Sequence, residues 1–149
     1  MYIDMRDFTY EDCTFFEGYR RVQDGKHWNF VDKDGNILSP AVWFDMVYCF
    51  HNGYAKVFLC SNSKLNYIDK NGRLVSPKWF DAWSSNFSED GIAIVCKNKK
   101  YNAINTKGEL LLDLWYDSIA PYKDKNYLQV LIGNNLILGE KWKLVKINN

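Results

Sequence analysis

Histidine occurs only twice in the 149 residues, as His27 and His51, and neither lies in a recognisable nucleophile motif. A glycine-rich phosphate loop and a GxSxG elbow are also missing, so no constellation of acyl or phosphoryl transfer is present and no catalytic residue is expected. The four cysteines, Cys13, Cys49, Cys60 and Cys96, show no CxxC spacing and no accompanying histidine cluster. This argues against a metal site, and no cofactor is expected. No apolar run approaches the roughly 20 residues that span a bilayer. Met1 to Tyr10 carries charges throughout and lacks the apolar core of a secretory signal, so the expectation is a cytoplasmic chain with reduced thiols and no membrane partner. A net charge of +1 gives no global attraction to nucleic acid, which is therefore not the expected partner.

What the chain has in abundance is aromatic residues, 17% of the total, and they are ordered. Trp43-Phe44-Asp45, Trp79-Phe80-Asp81 and Trp115-Tyr116-Asp117 follow one another at intervals of 36 residues. Gly35, Gly72 and Gly108 recur almost in step, as do Asp32, Asp69 and Asn105, and Gly18, Gly53 and Gly91. A residue that returns in every copy is most simply explained by holding each copy together, so the three triplets and Gly35, Gly72 and Gly108 are read as structural anchors. On this alignment copy one runs from Phe16 to Cys49, copy two from Phe50 to Asn86 and copy three from Phe87 to Pro121. Residues 1–15 form a partial leading copy in which Tyr10-Glu11 matches Phe44-Asp45 and Phe16 matches Phe50. Residues 122–149 form a partial trailing copy in which Gly139 to Val145 matches Gly25 to Val31, and 1–149 is one repeat domain.

Within each copy the residue types are those of antiparallel strands. Gly18 to Gln23, Gly53 to Leu59 and Gly91 to Lys97 predict first strands, rich in side chains that fit a pleated surface. Trp28 to Asp32, Leu65 to Asp69 and Tyr101 to Asn105 predict second strands. Asp34-Gly35, Asn71-Gly72 and Lys107-Gly108 then predict tight hairpins into Ile37-Leu38, Leu74-Val75 and Leu110-Leu111. Pro40 and Pro77 remove a ladder donor and end the third strand. The expected fold is all-β, a tandem array of three-stranded antiparallel meanders stacked as a short solenoid. The alternative is a closed propeller-like arrangement, but the period is short for a four-stranded blade and three units are few for a ring.

An aromatic-Asn pair, an Ile/Val-Asp, a turn glycine, two aliphatics and then Trp-aromatic-Asp together resemble the WG-repeat, or KWG-repeat, family. The wording of His27-Trp28-Asn29 is similar to members carried by gut Bacteroides-group bacteria and their phages. Asn29, Asn66 and Asn102 stand where the family has the glycine of its Trp-Gly pair, and Leu65 and Tyr101 replace the tryptophan. The resemblance implies a β-rich repeat scaffold with a binding role and brings no catalytic residues. In a phage setting the partner would be a host or defence factor.

Residues that differ between copies are the candidates for binding. Arg20 and Arg21 stand where the other copies have Ala55-Lys56 and Ala93-Ile94. Tyr48 and Trp83 lie in the connections after the aspartates. Lys97, Lys99 and Lys100 form the densest basic stretch, read either as a contact for nucleic acid beside Tyr101 or as a solvated hairpin tip. Asp45, Asp81 and Asp117 are expected to accept hydrogen bonds from amides two or three residues on. Trp43, Trp79 and Trp115 are expected to pack between copies, so that Trp79→Ala would unfold the array while Arg21→Ala would leave stability intact. The function these features suggest is a noncatalytic module binding another protein. A glycan or small-ligand binder using aromatics between copies is the alternative, and open sheet edges allow pairing of the chain with itself.

Overall fold

The computed structural model describes residues 8–59, 63–133 and 142–148. Cys60 and the stretch from Gly139 to Lys141 lie outside the described residues. Twelve strands and no helix occur among the described residues. The chain divides into two compact units, Met1–Ala82 and Trp83–Asn149.

In the first unit β1 (Tyr10–Glu11), β2 (Arg20–Asp24) and β3 (His27–Val31) form an antiparallel sheet in that order. A second run follows the same rule with β4 (Met46–Val47), β5 (Tyr54–Leu59), β6 (Lys64–Asp69) and β7 (Phe80–Asp81). In the second unit β8 (Ala93–Lys97) pairs with β9 (Lys100–Ile104), and β10 (Ser118–Pro121), β11 (Tyr127–Leu131) and β12 (Trp142–Lys146) form a further three-stranded sheet. The expected antiparallel meander is therefore present, with its frame moved. Its outer strand is the tail of the preceding copy, whereas Ile37, Leu74 and Leu110 make only single bridges to Val31, Ile68 and Ile104.

The reason lies in the asparagine that replaces the family's glycine. Asn29, Asn66 and Asn102 are all 0% exposed. Each Nδ2 donates to two carbonyls of the departing segment: Ser39 at 2.8 Å and Val42 at 3.2 Å, Ser76 at 2.8 Å and Lys78 at 3.3 Å, Leu112 at 3.0 Å and Leu114 at 3.4 Å. Each Oδ1 accepts from the next residue's N–H and from the N–H of Ser39, Ser76 or Leu112. A side chain thus replaces the ladder where the segment bulges away, and the buried amides are satisfied without a third strand.

The segment returns at the triplet, where the middle aromatic closes on the second strand. Trp28 N–H donates to Phe44 O at 2.7 Å and Phe44 N–H to Trp28 O at 2.9 Å, and Tyr101 and Tyr116 repeat the exchange. Neighbouring strand residues face opposite sides, so pairing that turns the middle aromatic inward turns the tryptophan out. Phe44, Phe80 and Tyr116 are buried, while Trp43, Trp79 and Trp115 are half-buried on the flank. The expected packing anchors are the tryptophans; the second residue of each triplet is the more deeply buried, while Trp43 and Trp79 pack against the cores from the margin. Phe44 joins Phe30, Val47, Phe50, Ala55, Val57 and Ile68 in the larger core of the first unit, and Trp79 packs at its margin. The core of the second unit gathers Leu111, Leu112, Tyr116, Ile119, Leu128, Val130 and Ile147.

The turns also sort into two kinds. Asp32 Oδ1 accepts from the N–H groups of Asp34 and Asn36, Asp69 from those of Asn71 and Arg73, and Asn105 from those of Lys107 and Glu109. Only the glycine of each of these turns has positive φ, at 82°, 79° and 77°, so they are side-chain-capped turns closed by one left-handed residue, not the two-residue hairpins expected. The two-residue hairpins with both central φ positive are Glu17-Gly18, Asn52-Gly53 and Asn98-Lys99.

Register corrects the leading copy. Thr9 N–H donates to Gln23 O as Asp45 N–H does to Phe58 O, so Phe8 stands in the place of Phe44. Phe16 N–H bonds Tyr19 O as His51 N–H bonds Tyr54 O, which puts Phe15 in the place of Phe50. The match of Tyr10-Glu11 to Phe44-Asp45 and of Phe16 to Phe50 slips because this segment carries one extra residue.

Candidate functional site

Arg20 and Arg21 fold back onto the leading segment. Arg21 grips Asp12 with two nitrogens, Nε at 2.8 Å from Oδ2 and Nη2 at 3.1 Å from Oδ1. It also donates Nη1 to Val47 O at 3.2 Å and lies 5.2 Å from the ring of Trp28. Tyr10 O–H completes the cluster on Asp12 Oδ1 at 3.0 Å. Burial alone would push the Asp12 carboxyl up, and the guanidinium with the Tyr10 hydroxyl outweighs it, leaving the carboxyl below its ordinary value. Arg20 reaches Glu11 at 3.4 Å and stacks over Phe15. Both arginines are therefore spent on docking the N-terminal strand, and the expectation that Arg21 is dispensable for stability gives way to a structural role.

The next copy uses the same slot differently. Tyr48 N–H donates to Lys56 O as Asp12 N–H donates to Arg21 O, and the Lys56 ammonium lies 4.9 Å from the Tyr48 ring. Asp12 with Arg21 and Tyr48 with Lys56 are thus equivalent pairs, and in copy three the slot holds Ser85 with Ile94. Burial lowers the Lys56 pKa.

The triplet aspartates take a partner sequence reasoning did not assign. His27 Nε2 lies 3.8 Å from Asp45, Lys64 Nζ 3.4 Å from Asp81, and Lys100 Nζ bonds Asp117 directly. Asp117 also accepts the N–H of Gly133, sixteen residues on, instead of an amide two or three residues away. The Lys100 hydrogen bond, with the Gly133 N–H, holds the Asp117 carboxyl below its ordinary value. Lys100 is thereby paired within its own copy, and Lys97 and Lys99 are exposed at the Asn98-Lys99 hairpin tip. No group of three or more His, Cys, Asp or Glu side chains is arranged to hold a metal among the described residues.

Trp83 is 81% exposed. Ser85 N–H bonds Ile94 O where Tyr48 N–H bonds Lys56 O, which makes Ser84 the counterpart of the buried Val47 and Trp83 the residue in excess. The insertion is readable in the sequence: Phe87 follows Asp81 by six residues, Phe50 follows Asp45 by five. Ser84 Oγ, accepting the N–H of Cys96 at 2.9 Å, repairs the ladder behind the bulge. Two residues after Trp83 begins a groove of about 390 Å³. Its wall is Ile92, Ile94, Pro121 and Leu128, and Ser85, Asn86, Ser88 and Asp90 supply the polar rim. It holds no cation and no aromatic ring. None of its lining residues belongs to a triplet or a turn glycine, so the repeat anchors did not disclose it.

These features define a class: a tandem β-repeat protein with shared scaffold chemistry and copy-specific surface residues. The chain belongs to the WG-repeat family, whose model, described as a WG containing repeat, matches residues 28–59, 67–101 and 103–135. None of the curated proteins matches the sequence. Among solved structures, KlHsv2 with its loop 6CD replaced by a Gly-Ser linker is 13% identical with a TM-score of 0.47, over 80% of this chain and 46% of that one. Kuenenia stuttgartiensis hydrazine synthase is 10% identical with a TM-score of 0.39, over 98% and 47%. A Bacteroides caccae protein of unknown function is 17% identical with a TM-score of 0.30, over 87% and 59%. The chain spans about half the length of the first two.

Proposed function

We propose that the chain is a noncatalytic, cytoplasmic module that binds an extended segment of another protein at Trp83 and the groove beginning at Ser85. The observation that carries this is the 81% exposure of Trp83, a one-residue insertion beside the position where Val47 in the preceding copy and Ser84 here are buried. An exposed tryptophan two residues along the chain from the first residue of an apolar trough is the kind of anchor that dominates protein interfaces. The wall of Ile92, Ile94, Pro121 and Leu128 suits an aliphatic or aromatic side chain, and Asp90 on the rim suits a neighbouring cation. Phosphate would need a cation in the groove, and the apolar wall suits an apolar side chain better than a hydroxylated sugar, so the protein partner is favoured over a glycan or nucleic acid. The volume of about 390 Å³ also fits a small apolar ligand, which is the second reading.

The test is affinity capture from lysate of the native host with the wild-type chain, Trp83→Ala and the double variant Lys97→Ala/Lys99→Ala. The expected result is one enriched protein that is lost with Trp83→Ala and kept with the lysine variant. Equal capture by all three, or loss only with the lysine variant, would refute the assignment. Capture of nothing, with a thermal shift that grows with an added small apolar ligand, would favour the second reading.

A further inference from the structure

We infer that the chain associates with copies of itself head to tail, β12 of one copy receiving the segment Phe8 to Phe16 of the next. The molecule already contains such a junction in its interior. Between the meander β1–β3 and the next, which starts at the triplet before β4, Phe44 exchanges two backbone hydrogen bonds with Trp28, and the Phe50 ring sits 4.8 Å from Phe30 and 5.1 Å from Tyr19. The sheet edges carry the two halves of this same junction. On β12, Trp142 pairs with Leu131 as Leu65 pairs with Phe58, so Trp142 occupies the Trp28 place and Leu144 the Phe30 place. Tyr127 stands opposite Lys146 as Tyr54 stands opposite Asp69, and it takes the place of Tyr19. On the other edge Phe8 holds the Phe44 position and Phe15 the Phe50 position.

Exposure agrees with this assignment. Phe30 and Tyr67 are 0% and 1% exposed, and their counterpart Leu144 is 47% exposed. Phe50 and Phe87 are 4% and 1% exposed, and their counterpart Phe15 is 39% exposed. Trp142 and Phe16 add further apolar surface at the two edges. Each edge thus presents residue types that the interior junction buries, and the two edges match each other rather than themselves. A contact of this kind is heterologous, so it builds chains or closed rings and not a two-fold dimer.

The trailing strand departs from the interior rule at one residue. Lys143 stands where Asn29, Asn66 and Asn102 clamp the departing segment. An ammonium keeps the donors of that amide and loses its acceptor, so β12 receives an incoming strand without the clamp that fixes one in place. The junction between chains is therefore weaker than the one inside the chain.

The test compares Leu144→Asp, which spoils one edge, with Phe15→Lys, which spoils the other, by sedimentation and light scattering from micromolar to sub-millimolar concentration. Wild type is expected to gain mass with concentration, and each variant to stay at the mass of one chain. An equimolar mixture of the two variants retains one intact pair of edges, Phe15 on the first and Leu144 on the second. It is expected to give a 1:1 complex of two chains and nothing larger. A variant that failed to fold could not restore that complex, so recovery separates assembly from damage. A wild-type chain that stays at one-chain mass throughout, variants that assemble as wild type does, or a mixture that stays monomeric would each overturn the inference.

Discussion

Asn66 shows how much one buried side chain holds. Replacing it with alanine strands the carbonyls of Ser76 and Lys78 and the N–H groups of Tyr67 and Ser76 in the interior. Unsatisfied buried groups cost about 1–3 kcal/mol each, so Asn66→Ala is expected to lose at least about 3 kcal/mol in urea unfolding. A loss below about 1 kcal/mol would remove the clamp from the account. At the triplet, Phe80→Ala is expected to cost about 3–5 kcal/mol, and Trp79→Ala less, because Phe80 is in the core and Trp79 at its margin. The reverse order would restore the tryptophan as the anchor. Arg21→Ala is expected to cost about 3 kcal/mol, since it leaves the Asp12 carboxylate buried without its bidentate partner. Asp12→Ala/Arg21→Ala should then cost less than the sum of the two single changes, which a double-mutant cycle reads directly.

Elements were legible from the sequence where the residue types act alone, and less so where they act through a partner. The first and second strands stand close to where β-branched and aromatic runs placed them, and Asp32, Asp69 and Asn105 cap their turns as turn residues should. The third strand was misread because an asparagine side chain takes the place of a ladder, and a sequence does not say which polar residue points inward. Trp83 was singled out because it breaks the repeat. The groove that begins two residues later was not, because Pro121 pairs with Leu128 across one sheet and Ile92 reaches them only by packing from another. Backbone conformation gives an element-scale test. Lys99 holds a φ of 65° at the hairpin tip, a left-handed position that disfavours a residue with a Cβ by roughly 1–2 kcal/mol. Lys99→Gly is therefore expected to raise the melting temperature by several degrees. Gly72→Ala should do the opposite and strongly, since a Cβ there would lie 2.6 Å from the carbonyl oxygen of Leu38 in the preceding copy, at a φ of 79°. A Gly72→Ala chain as stable as wild type would show that copies one and two do not meet at this glycine.

At the scale of the whole molecule the depressed carboxyls are unevenly shared between the two units. Among the described residues the first unit has Asp12, Glu17 and Asp32. Burial opposes ionisation of Glu17, but the N–H groups of Gly53 and Asn52, with Lys70 nearby, hold its carboxyl below the ordinary value. Asp32 is lowered by the Asn36 N–H above all. Among its described residues the second unit has Asp117, which is half-buried. A carboxyl whose folded pKa lies below its unfolded value stabilises the fold above the unfolded pKa, roughly 4, and loses that contribution as pH falls through the folded pKa. Acid should therefore weaken the first unit before the second, starting below about pH 4. Amide exchange at pH 6 and pH 3 measures this by unit: protection is expected to fall sooner across β2, β3 and β5 than across β10 and β11. Asp12→Asn should lower stability at pH 6 and flatten the slope below pH 4, because it removes both the ion pair and one titrating group. Equal loss of protection in both units, or an Asp12→Asn chain with the wild-type acid slope, would place the acid-sensitive contacts elsewhere than in the Asp12 and Glu17 clasps.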